Sequence, residues 1–107
     1  MAHYLFQLAY TPEAWAAQLK NPQNRIEVVT PMLERLGGRF EAVYYAFGDY
    51  DIIGILELPD NVSASAFALA IAAGGAAKTY KTTPLVTIEE GLQAMRKGAE
   101  AGYTPPS

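Results

Sequence analysis

The chain has no cysteine, one histidine and one tryptophan among 107 residues, and only 18% of its residues are charged. Without cysteine there is no disulfide framework, no thiol nucleophile and no Cys-ligated zinc or iron–sulfur site. A lone histidine, His3, removes most metal and triad schemes unless symmetry-related copies meet, so neither a metal nor a cofactor is expected. The formal charge of −3, with Lys and Arg scattered along the chain, argues against the clustered basic face that nucleic acid requires. Met1-Ala2-His3-Tyr4 carries no basic leader. The apolar stretch through Ala77 is too short and too rich in Ala and Gly for a membrane span, which needs about 20 residues. A cytoplasmic protein with no membrane partner is expected.

What the chain has in quantity is apolar side chain. Half of its residues are hydrophobic, which leaves little polar surface to cover a monomer of this size. Self-association into a homodimer or larger is the expected consequence. The length suits one domain.

Tyr4 to Tyr10 is aromatic or aliphatic at nearly every position, the pattern of a central strand covered on both faces. Thr11-Pro12 is a cap-and-start signal for a helix through Trp15 to Leu19, and Asn21-Pro22 repeats it for a second helix. The second helix carries Ile26, Val29, Leu33 and Leu36 at steps of three or four. A kink is expected near Thr30 from Pro31, and a stop at Gly37-Gly38. Phe40 to Phe47 and Ile52 to Leu58 read as an antiparallel hairpin joined at Gly48-Asp49-Tyr50. Val62 to Ala73 reads as a helix in which alanines beside Phe67, Leu69 and Ile71 leave almost no polar face, so more than one side must be covered. Thr79 to Val86 is a fourth strand, which Pro84 places at an edge or near its own end. Thr87-Ile88-Glu89-Glu90 is a capping box for a last helix reaching about Ala101, and Gly102 to Ser107 is a flexible Pro-rich tail. This order predicts a single α+β domain over residues 1–101. The architecture is a ferredoxin-like β-α-β-β-α-β sandwich with an appended C-terminal helix, oligomerising through the sheet face or the Ala-rich helix.

Leu36-Gly37-Gly38-Arg39, the turn Gly48-Asp49-Tyr50-Asp51, Glu57 with Pro59-Asp60, and the approach from Gly75 to Thr79 resemble, in this order and spacing, the GYD family. The resemblance implies a small ferredoxin-like protein, similar in outline to the dimeric α/β-barrel proteins that enclose a pocket between paired sheets. It implies no known activity. Two positions depart from the family pattern: Ala46, where a hydroxyl residue is frequent, and Tyr80-Lys81-Thr82-Thr83, where Thr and Arg are.

Candidate chemistry gathers near the turn. Asp49, Tyr50 and Asp51 can place a phenol and carboxylates at a pocket mouth, with Tyr50 as proton donor and Asp51 as its acceptor. They can equally build a turn, Asp49 satisfying its N–H groups while Tyr50 packs. His3 is either a general base or a surface residue at the start of a strand. Gln7, Glu57 and Lys81 are polar positions inside strands, and alternation puts Asp51, Ile53, Ile55 and Glu57 on one face. There Glu57 and Lys81 would form an acid–base or anion-holding pair, or an exposed ion pair. Tyr4, Tyr10, Tyr44, Tyr45, Tyr50 and Tyr80 offer rings to a flat apolar ligand or to the core. Gly37-Gly38 and Gly74-Gly75 follow helices, where glycine terminates rather than cradles phosphate. The expected function is binding of a small apolar or aromatic molecule between subunits, with room for cofactor-independent chemistry. The alternative is a structural or regulatory module that binds only copies of itself or a partner protein. Whether the chain is an enzyme stays open.

Overall fold

The N-terminal strand takes a central place in a sheet whose last strand closes one edge. The computed structural model describes all 107 residues. Its elements are β1 (Ala2–Tyr10), α1 (Pro12–Lys20), α2 (Arg25–Arg35), β2 (Arg39–Tyr45), β3 (Ile52–Leu58), α3 (Asn61–Ala73), β4 (Ala77–Leu85) and α4 (Ile88–Glu100). The four strands are antiparallel in the order β2-β3-β1-β4, the ferredoxin-like α+β arrangement with a C-terminal helix.

Alternation along the strands sorts the side chains onto two unlike faces. Tyr4, Phe6, Leu8 and Tyr10 of β1 meet Ile52, Leu56 and Leu58 of β3 on the inner face, where Leu33 of α2 and Phe67 of α3 complete the buried core. Gly54 lies opposite Phe6, and a Cβ there would come within 2.6 Å of the Phe6 ring and 2.8 Å of the Ala42 carbonyl. The ring therefore rests on the backbone of β3. The outer face presents Leu5 and Gln7 of β1 with Ile53, Ile55 and Glu57 of β3, all half-buried. Residues that α1, α2 and α3 add to the core pack on the inner face, and α4 buries none of its residues. The expected cover on both faces of β1 is thus present on one only, because the crossovers of this topology put their helices on a single side.

Local signals explain most boundaries. Thr11 caps α1 through Ala14 N–H, and Asp60 caps α3 through Ser63 N–H. The second helix starts at Arg25, not at Pro22. Asn24 accepts from both Ile26 and Glu27 N–H, whereas Asn21 closes α1 by donating to the Ala17 carbonyl. Helix α2 continues through Pro31, with the Thr30 hydroxyl donating to the Ile26 carbonyl at 2.6 Å. Strand β2 stops at Tyr45, short of Phe47, and its register against β3 shifts between Phe40 and Ala42. Edge strand β4 contains Pro84, opposite Tyr4. The reciprocal Thr87–Glu90 capping box opens α4.

The molecule is elongated, 57 × 34 × 22 Å, with a radius of gyration of 17.2 Å. A compact chain of this length has about 13 Å. Helix α4 is a source of that extension: its Ile88, Leu92 and Met95 are 86%, 45% and 70% exposed.

Candidate ligand-binding site

Five of the candidate residues, Gln7, Lys81, Tyr50, Glu57 and His3, lie on or beside the outer face. Gln7 of β1 is paired with Ile53 on one side and Lys81 on the other. The Lys81 Nζ sits 5.9 Å from the centre of the Tyr50 ring, a cation–π contact. Glu57 opposes both His3 and Arg39, and its Oε2 is in ion-pair contact with the Arg39 guanidinium. It therefore meets Arg39 rather than Lys81, which lies two strands away. His3 Nδ1 is 3.1 Å from Glu41 Oε2.

The turn places its three polar residues differently. Asp49 is exposed, and Tyr50 is half-buried beneath Lys81. Asp51 points toward α1: its Oδ2 accepts from Tyr10 N–H at 2.8 Å and from the Trp15 indole at 3.1 Å. Its own N–H donates to the Leu8 carbonyl, and its carbonyl accepts from Ala46 N–H. The φ of Gly48, +149°, belongs to glycine, so the loop tip needs that residue for its backbone. Tyr45 is exposed at the end of β2, in register with inner-face Ile52.

The inner face holds the more enclosed space. Between α2 and α3, over Phe6, Leu8 and Tyr80, lies a cavity of about 310 Å³ in which 15 of 17 lining residues are hydrophobic. Arg25, the first residue of α2, is the one charged residue in that lining, and neither of the chain's ion pairs includes it. Burial and the nearby Tyr45 push the Tyr10 phenol up, while the Arg25 guanidinium draws it back by charge and by hydrogen bonding. Tyr80 stacks on Phe6 with ring centres 6.2 Å apart. Its hydroxyl and Thr82 Oγ1 are both buried without a hydrogen bond of good geometry. Burial pushes the Tyr80 phenol up, and Thr82 lies close enough to oppose that shift.

A profile of the GYD domain matches residues 4–95. The chain belongs to the GYD domain family. No curated protein and no solved structure matches it. The matched span of this GYD domain includes the Gly48-Asp49-Tyr50 turn, the polar row on the outer face and the whole lining of the α2–α3 cavity. No helix of the domain is long and apolar enough to cross a membrane.

The GYD domain thus carries two chemically unlike surfaces. The outer one is an open apolar floor crossed by Gln7 and Lys81. The inner one is an apolar cavity with a cation at its lining and a buried phenol. Sequence reasoning pointed to the first and missed Arg25 and the cavity. The available signal was that Arg25 shares a helix face with Val28, Val29 and Met32, so that a charge borders an apolar stripe.

Proposed function

We propose that this GYD domain binds a small apolar or aromatic molecule bearing a carboxylate or other acceptor group at one end, held in the α2–α3 cavity. The observation that carries this reading is an apolar cavity of about 310 Å³ with one cation lacking an acidic partner. Pockets for small organic ligands start at roughly 300 Å³ and combine apolar walls with a few polar groups. Phe6, Met32, Phe67 and Tyr80 supply walls for the ligand body, each buried methylene contributing about 0.8 kcal/mol. The Arg25 fork suits a carboxylate, which it can hold through two parallel hydrogen bonds.

Calorimetric titration with a series of aromatic and aliphatic monocarboxylates, alongside their uncharged amides, tests this reading. Arg25→Met keeps the apolar stem and should weaken the acids by about tenfold or more while leaving the amides nearly unchanged. Ala70→Phe, at an exposed lining position, should abolish both. Absence of binding at millimolar ligand, or binding indifferent to Ala70→Phe, would overturn it.

The Lys81–Tyr50 contact favours a second reading, in which the ligand lies between subunits on the outer face and touches Gln7, Tyr50 and Lys81. Tyr50→Phe and Lys81→Met would then weaken binding, and Arg25→Met would not.

A further inference from the structure

We propose that α4 is an exchanged arm. In a homodimer, the α4 of each chain lies with its apolar stripe on the outer sheet face of the other. This arrangement is independent of what the α2–α3 cavity holds.

Helix α4 is strongly two-sided. Ile88, Leu92, Met95 and Ala99 follow at steps of four, three and four, with Gly91 and Gly98 beside them, while Glu89, Gln93, Arg96, Lys97 and Glu100 take the other side. Such a stripe marks a helix that seats on an apolar surface, yet here Ile88, Leu92 and Met95 are exposed. A helix of 13 residues is marginal in water by itself, so capping by Thr87 and Glu90 does not replace a packing partner. The outer face has the converse deficiency: Leu5, Ile53 and Ile55 form an apolar floor with no helix on it.

A second copy fits both. Each chain offers one unpartnered apolar helix and one unpartnered apolar sheet face, so a two-fold axis satisfies four surfaces with one contact repeated. The chain leaves β4 through Val86 alone before the cap, and Thr87 is extended at φ −67° and ψ 163°. The arm is therefore carried outward instead of turning back over its own sheet, in keeping with the 57 Å long axis. A helix about 20 Å long and about 10 Å across covers roughly 200 Å² of a sheet face that spans roughly 500 Å². Stripe and covered floor together give roughly 400 Å² of projected contact per chain, half of the roughly 800 Å² per partner of a standard stable interface, so the arm is the core of the contact and the uncovered part of the face supplies the remainder. The shallow groove at His3, Ile55, Leu85 and Val86, where the arm departs, lies at the border of the same face.

Light scattering at micromolar concentration should give a dimer. Leu92→Asp and Met95→Asp alter residues exposed in the single chain, so the sheet core should keep a cooperative unfolding transition, with at most the helical signal of α4 reduced, while the dimer dissociation constant rises at least about tenfold. Because the chain has no cysteine, Leu92→Cys chains mixed with Ile53→Cys chains should give a covalent heterodimer under mild oxidation, which neither variant gives with wild type. A wild-type monomer at these concentrations would overturn the proposal. So would a dimer indifferent to Leu92→Asp, or an intrachain bridge without covalent dimer when both cysteines are on one chain.

Discussion

Trp15 and Asp51 are joined by a hydrogen bond of 3.1 Å from the indole Nε1 to Oδ2, and the same oxygen accepts the Tyr10 N–H at 2.8 Å. One carboxylate thereby ties the end of the Gly-Asp-Tyr turn to the end of β1 and to α1. Asp51→Ala leaves the buried Tyr10 N–H and the indole without an acceptor and should cost about 1–3 kcal/mol. Urea unfolding measures this cost. Trp15 is the single tryptophan, so its emission should shift to the red in the variant. An unchanged midpoint would refute the tie.

At Gly48 the backbone conformation is the whole issue. Its φ is +149°, and nothing lies within 4 Å of where a Cβ would be. Gly48→Val should lower stability by about 1–3 kcal/mol through backbone strain alone. A melting temperature equal to wild type would show that the loop relaxes freely.

Gly54 gives the opposite case, in which the backbone is ordinary and space is absent. Gly54→Ala drives a methyl into the Phe6 ring and the Ala42 carbonyl and should cost about 1–3 kcal/mol. Chemical denaturation of the variant in a Phe6→Leu background checks the cause: the smaller side chain should recover part of the loss.

Tyr50→Phe keeps the ring under Lys81 and removes a hydroxyl that has no hydrogen-bond partner within the chain. Thermal stability should stay within about 1 kcal/mol of wild type. A larger loss would reveal a buried partner for that hydroxyl.

Stability should also fall in acid through the Asp60 cap. Its hydrogen bonds with Ser63 hold the carboxyl below its ordinary value of 3.8. The unfolded chain then binds the proton more readily than the folded one. The cap's contribution is full above about pH 3.8 and disappears as pH falls through the lower, folded value. Asp60→Asn still accepts at the helix start but does not titrate, so melting curves between pH 5 and 2 should be flatter than for wild type.

How far the sequence carried the fold depends on whether a boundary is decided locally. Ile52–Leu58 was legible to the residue because its alternation ends at Pro59-Asp60, and the Thr87–Glu90 box located α4 equally well. The start of α2 was not, because Asn21-Pro22 carries the same cap-and-start signal as Thr11-Pro12, whereas the oxygen that accepts the first helical amides belongs to Asn24 three residues on. Uniform apolarity in β1 suggested two covered faces, since Leu5 and Ala9 blur the alternation that would have marked one as outer. The outer-face group was partly legible, Gln7 and Lys81 from strand periodicity and Tyr50 from the turn. The orientation of Asp51 was not, because its partner Trp15 lies on a different element. The cavity left no local mark at all: it is the gap between α2 and α3, helices with a hairpin between them in the chain.

The pairing of β1 with β4 sets His3 against Leu85, residues near the start and the finish of the sheet in chain order. One side of the central strand therefore has nothing to bond with until almost the whole domain has been synthesised, and local hairpin formation between β2 and β3 cannot supply it. Closing so long a loop costs chain entropy before any ladder bond repays it, which sets the folding rate by topology more than by helix propensity. Truncation before Ala77, which removes β4, should thus leave a chain that keeps its β2–β3 hairpin sequence yet exposes the edge of β1, the segment most in need of protection during biosynthesis.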